Sequence, residues 1–154
     1  MKKINAFKMN PILFIAVALG LAKFLVDFFS GNPEFEEIDH DDIYKDFLIE
    51  EDQIEIDEKI LKQKITRGIN VLIKEYKGFK IGKTGNPKGR TGNHKKYKKM
   101  FLLCSTNSKE LNKKLEGYYN TKYIEHKKND NKKEGSAGEA KAVNGRFYLY
   151  VVVR

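Results

Sequence analysis

The chain has one cysteine, Cys104, and no tryptophan. A lone cysteine excludes an intrachain disulfide and leaves no ligand set for a thiolate zinc site. Histidine is scarce as well: His40, His94 and His126 stand too far apart to form a paired metal-ligand motif. With 154 residues there is room for one ordinary domain and not for two large ones. Fully disordered behaviour is excluded from the other side, because ten Phe and eight Tyr are too many for it. The longest apolar run, Ile12 to Ala22, is eleven residues, short of the roughly 20 that a spanning helix uses.

The net charge of +9 is unevenly spread. Residues 1–31 carry four Lys and one Asp, residues 32–58 carry thirteen Asp or Glu and one Lys, and the rest carries twenty-five Lys or Arg against seven acids. The sequence therefore divides into an apolar N-terminal segment (1–31), an acidic connector (32–58) and a basic domain (59–154). From Pro11 to Phe29 only Gly20, Lys23 and Asp27 interrupt the apolar residues. Lys23 and Asp27 are four apart and can pair on one helix face. Three readings stay open. Residues 10–29 form an uncleaved membrane anchor, with Lys2, Lys3 and Lys8 favouring a cytoplasmic N-terminus. Alternatively they form a signal peptide cut near Gly20-Leu21-Ala22, or an apolar helix that docks on protein. Localisation follows the first reading: membrane-associated through a single span.

In the connector, Asp41 to Glu51 has Ile43, Tyr44, Phe47 and Leu48 on one side of a helical projection, so a short amphipathic helix is expected there. The segment reads as a solvated linker or as a piece that docks on the basic domain.

The basic domain is expected to be α+β, a small antiparallel sheet flanked by helices. A helix starts at Glu58 and ends near Gly68. Ile69 to Tyr76 reads as a strand from its β-branched residues, turns at Lys77-Gly78 and returns as Phe79 to Lys83. Asn86-Pro87 opens a helix to about Lys99. Met100 to Ser105 is a strand, Asn107 or Ser108 caps a helix to about Glu125, and Phe147 to Val153 is the last strand. Asn129 to Gly145 is polar and glycine-bearing, hence loop.

Gly68-Ile69-Asn70, then Lys80-Ile81-Gly82-Lys83-Thr84, Asn86-Pro87 and Arg90 resemble the GIY-YIG nuclease superfamily. Gly82-Lys83-Thr84 is not a P-loop, because the upstream glycine is missing. The resemblance covers about residues 68–153. It implies phosphodiester cleavage with Mg²⁺ as cofactor: Glu116, after Leu115 on the later helix, holds the metal, Arg90 clamps the phosphate, His94 assists and Asn129 or Asn131 follows. Such residues suit that chemistry. A carboxylate-held cation offsets charge on the phosphate, an arginine fork binds its oxygens, and a base activates water. Both signature tyrosines are replaced, by Asn70 and Lys80, with Tyr76 or Tyr97 as substitutes in space. The same residues also read as ordinary surface groups of a lysine-rich domain, and Tyr118, Tyr119 and Tyr123 as core and rim.

Lys80, Lys83, Lys95, Lys96, Lys98 and Lys99 are the candidate nucleic-acid contacts. They would give salt-sensitive, sequence-independent binding. A second resemblance, to proteins of large DNA viruses with an internal membrane, implies a non-catalytic minor virion component anchored by its N-terminus, with partners in a larger assembly.

Overall fold

The computed structural model describes residues 42–51, 57–132 and 140–154. The N-terminal apolar segment, and the expected helix in it, lie outside these residues. Among the described residues no helix is long and apolar enough to cross a membrane.

Helix α1 (Glu58–Glu75) begins where the Asp57 carboxylate accepts from the backbone N–H of Lys59 at 2.8 Å. Leu61, Ile65, Gly68, Ile69 and Leu72 are buried along it. Their three- and four-residue spacing makes one helical stripe. This corrects the expected strand over Ile69–Tyr76, and with it the hairpin. The β-branched residues there continue a periodicity begun at Leu61, and burial of that stripe outweighs a local preference of a few tenths of a kcal/mol. Gly68 has a packing reason, since a Cβ there would come 3.2 Å from Cβ of Phe47.

The strands are β1 (Ile43–Tyr44), β2 (Ile49–Glu50), β3 (Phe79–Thr84), β4 (Lys99–Thr106) and β5 (Phe147–Val153). Strand β5 is central, antiparallel to β3 on one side and β4 on the other. Strands β1 and β2 both pair parallel with β4 at the far edge. The domain is thus α+β with a mixed five-stranded sheet, where an antiparallel one was expected. The expected helix over Asp41–Glu51 is corrected too: residues 42–51 pair with β4 across its length. Alternation sends Ile43 to one sheet face and Tyr44 to the other, so both faces of this strap are used.

Helix α2 (Pro87–Thr91) is five residues long and stops at Gly92, well before the expected Lys99. Asn86 caps it as expected, its side-chain oxygen accepting from the N–H of Gly89 at 3.1 Å. Helix α3 (Lys109–Tyr123) is capped by Ser108. Helices α1 and α3 cover one sheet face. Leu115, Tyr119 and Tyr123 meet Leu61, Ile65, Phe79, Ile81 and Val151 there. The other face carries Met100, Leu102, Tyr150 and Val152 under Tyr97 and the turns after α2.

The outer edge of β3 is closed by residues 128–131. The Phe79 N–H donates to the Lys128 carbonyl and the Asp130 N–H to the Phe79 carbonyl. The Asn131 amide then continues the ladder on both backbone groups of Ile81, at 2.8 and 2.9 Å.

Candidate active site

Strand pairing sets Gly82 opposite Tyr150. A Cβ on Gly82 would come 2.5 Å from the Tyr150 hydroxyl. Only glycine leaves room for the phenol to lie across β3. Two side chains converge on that hydroxyl. Arg90, aimed by the short helix that Asn86 caps and Pro87 starts, donates from Nε at 3.2 Å. His94 sits one turn further on, its N–H donating to the Thr91 carbonyl, with Nε2 2.8 Å from the Tyr150 oxygen. His94 is 4% exposed and meets the rings of Tyr97 and Tyr150 edge-on.

Burial holds the His94 imidazole neutral, and the positive charges of Arg90 and Lys80 add to the effect. Its pKa falls from 6.5 to about 4. Burial pushes the Tyr150 phenol up, the Arg90 hydrogen bond draws it partly back, and the Glu116 carboxylate opposes that. At neutral pH the cluster is a neutral phenol between a neutral imidazole and a guanidinium.

Glu116 lies on α3 and is buried, its Oε2 2.5 Å from the ammonium of Lys83 on β3. Lys80, Lys83, Arg90, His94 and Glu116 are therefore all brought to the neighbourhood of Tyr150. Asn131 is engaged differently, with both amide atoms on the Ile81 backbone, and positions β3. Lys95, Lys96 and Lys98 are exposed on the turns after α2. Lys99 leans over the Tyr44 ring, 5.1 Å from its centre. Asn70 is on α1 and accepts from the Tyr123 hydroxyl, away from the strand where a family tyrosine would stand. Tyr97 is close by, but its hydroxyl donates to Asp130 at 3.2 Å. Tyr76 packs on Phe101.

Tyr150 is the residue that sequence reasoning missed. The alternation in Phe147-Tyr148-Leu149-Tyr150 places both tyrosines on one face and was available as a signal. Asn112 and Asn120 were missed as well. They lie four residues before and after Glu116, each 1% exposed. Among the described residues, Asn112 Nδ2 and Oδ1 and Asn120 Oδ1 have no hydrogen-bond partner.

Among the described residues no three His, Cys, Asp or Glu gather as a ready metal cluster. Glu116 is the carboxylate there that a hard cation could use, and the cation would have to displace the Lys83 ammonium that already meets it. Comparison of the chain with protein-family models, with curated proteins and with solved structures finds no match.

Proposed function

We propose that the basic domain is a GIY-YIG-like phosphodiesterase domain acting on DNA, with its signature tyrosine supplied by the last strand. The observation that carries this reading is the Tyr150 hydroxyl held by both Arg90 and His94 beside Gly82. The segment Lys80-Ile81-Gly82 keeps the role the resemblance gave it. Its partner strand becomes β5 in place of Gly68-Ile69-Asn70.

The arrangement suits hydrolysis. A water attacking phosphorus loses a proton as the new P–O bond forms and the leaving oxygen departs. With the imidazole proton on Nδ1, His94 Nε2 accepts from the Tyr150 hydroxyl, so the phenol can take the water's proton as it passes its own to His94. The Arg90 guanidinium keeps further N–H donors for the phosphate oxygens. Lys80 adds positive charge on the same side. Mg²⁺ held at Glu116 would supply a Lewis acid that offsets charge on the phosphate and the leaving oxygen. Exposed Lys95, Lys96 and Lys98 extend the positive surface along a DNA backbone. The anchor in residues 10–29 would fix this domain at a membrane.

A second reading keeps the domain as a non-catalytic scaffold, such as a membrane-anchored minor component of a large DNA virus particle. The closed Lys83–Glu116 pair favours it, because the ammonium already neutralises the carboxylate. Metal-dependent cleavage of plasmid DNA that disappears in Tyr150→Phe supports the first reading. A folded chain that binds DNA without cutting it under any divalent metal supports the second.

A further inference from the structure

Tyr118 is the one exposed aromatic ring among the described residues, 39% exposed beside a fully buried Tyr119. It stands in an open groove between α1 and α3 with a volume of about 510 Å³. Lys59, Lys62, Thr66 and Arg67 line the groove from α1, Tyr118 and Lys122 from α3. Lysines on a solvated helix face point away from the protein, but here two of them lean in over one ring. Lys62 lies 4.4 Å from the centre of the Tyr118 ring and Lys122 5.6 Å. The acid on the rim, Glu58, is already matched twice, by Lys62 at 2.6 Å and Lys114 at 2.7 Å. Lys122 donates to the Thr66 hydroxyl at 3.3 Å and otherwise meets aromatic rings. Lys59 and Arg67 are exposed and have no acidic partner among the described residues. The groove thus keeps positive charge that no described carboxylate offsets.

We propose that this groove binds single-stranded nucleic acid, its phosphates meeting Lys59, Arg67 and Lys122 and one base stacking on Tyr118. Cations lining a groove follow a phosphodiester backbone. An accessible aromatic face selects nucleic acid over other polyanions, because any base can stack on it. Size selects a single strand. A cleft of this volume, within the roughly 300–1,000 Å³ of small-ligand sites, admits a nucleotide and not a duplex, whose bases are stacked on each other and cannot reach the ring. In the free protein ammonium groups cover the ring. Base stacking is the stronger contact at an exposed ring, and a displaced ammonium gains a phosphate, so the exchange is favourable. The sheet and its two long helices lie between this groove and the face that carries Tyr97 and Tyr150. Binding here is therefore independent of cleavage and stands whether or not the domain cuts DNA.

The test is a fluorescence-anisotropy titration of the full chain with a labelled oligothymidylate, in EDTA to withhold metal and at several salt concentrations. Tyr118→Leu keeps an apolar side chain and a good helix former at an exposed position. It weakens binding about tenfold, the scale of a lost base–aromatic stack, and leaves the salt dependence as it was. Tyr118→Phe binds like wild type. Lys59→Gln and Arg67→Gln each weaken binding and reduce the slope of log K against log salt by about 0.7, the value for one phosphate contact on a single strand. An abasic oligomer of the same length binds more weakly and no longer distinguishes wild type from Tyr118→Leu. The proposal is overturned if Tyr118→Leu, shown to be folded by circular dichroism, binds the oligothymidylate as wild type does, since the groove is then a solvated basic face. It is overturned equally if the abasic oligomer binds as tightly as the oligothymidylate, or if phosphatidylserine vesicles bind in a Tyr118- and Arg67-dependent way while the oligomer does not, which assigns the groove to a lipid surface.

Discussion

His94 should make the fold sensitive to mild acid. In the native protein its pKa is about 4, against 6.5 for an ordinary histidine, because burial first and then Arg90 and Lys80 oppose its charge. A depressed native pKa means that the unfolded chain binds the proton more readily. The contribution to stability is therefore complete above pH 6.5 and is lost as pH falls toward 4. One pKa unit corresponds to about 1.36 kcal/mol, so falling from pH 7.5 to pH 5 removes about 2 kcal/mol, or between 1 and 2 after allowing for solvent screening. For a domain of this size that is several degrees in Tm. The assay is urea denaturation at pH 7.5, 6.5, 5.5 and 5.0 on wild type and His94→Gln. Glutamine removes the titration and can still hydrogen-bond the Tyr150 hydroxyl. The difference between the two curves isolates His94 from carboxylates titrating below this range, among them Asp130, which its Arg154 hydrogen bond holds low. Wild type should lose about 1–2 kcal/mol more than the variant. Parallel curves would refute the buried, neutral imidazole.

Three further outcomes follow from the same geometry. Gly82→Ala places a methyl 2.5 Å from the Tyr150 hydroxyl, so it should push the phenol off Arg90 and His94 and abolish activity while α-helical circular dichroism is kept. Glu116→Gln removes the carboxylate that the nearly buried Lys83 ammonium meets at 2.5 Å and should destabilise the fold by about 3 kcal/mol in chemical denaturation, whereas Lys83→Met with Glu116→Leu should recover most of it. Phe47→Ser should loosen the strap on β4, opening an edge that pairs with other chains; light scattering on gentle heating should then report earlier aggregation than in wild type.

Much of the fold was legible because its signals are local. Asn86-Pro87 and Ser108 announce helix starts, and Phe147 to Val153 is too β-branched and aromatic to be read otherwise. The failures have physical causes. Ile69 to Ile73 looks like a strand in a short window, and only the stripe reaching back to Leu61 shows that it is helix. That one error assigned β3 the wrong partner, setting Asn70 in place of the β5 residues that lie opposite it. Strand partnership is a long-range choice, here linking residues 82 and 150, and local propensity carries no information on it. The strap was misjudged for a related reason: Ile43, Tyr44, Phe47 and Leu48 fit a helical face, yet the open edge of β4 offers backbone partners that a helix cannot use. Arg90 and His94 were singled out by their spacing from Gly82, and Glu116 by its place after Leu115 on the later helix, all of them features of the sequence itself.

The central claim is that Tyr150, Arg90 and His94 form the working site of a nuclease. It is tested most directly by incubating the full chain with supercoiled plasmid and Mg²⁺ or Mn²⁺, beside Tyr150→Phe and Arg90→Ala variants shown to be folded by circular dichroism. The account predicts metal-dependent nicking by wild type and a loss of at least about a hundredfold in each variant, the scale of a lost acid–base or phosphate-binding group. Nicking that survives Tyr150→Phe undiminished, or a folded wild type that cuts with no metal at all, would contradict it.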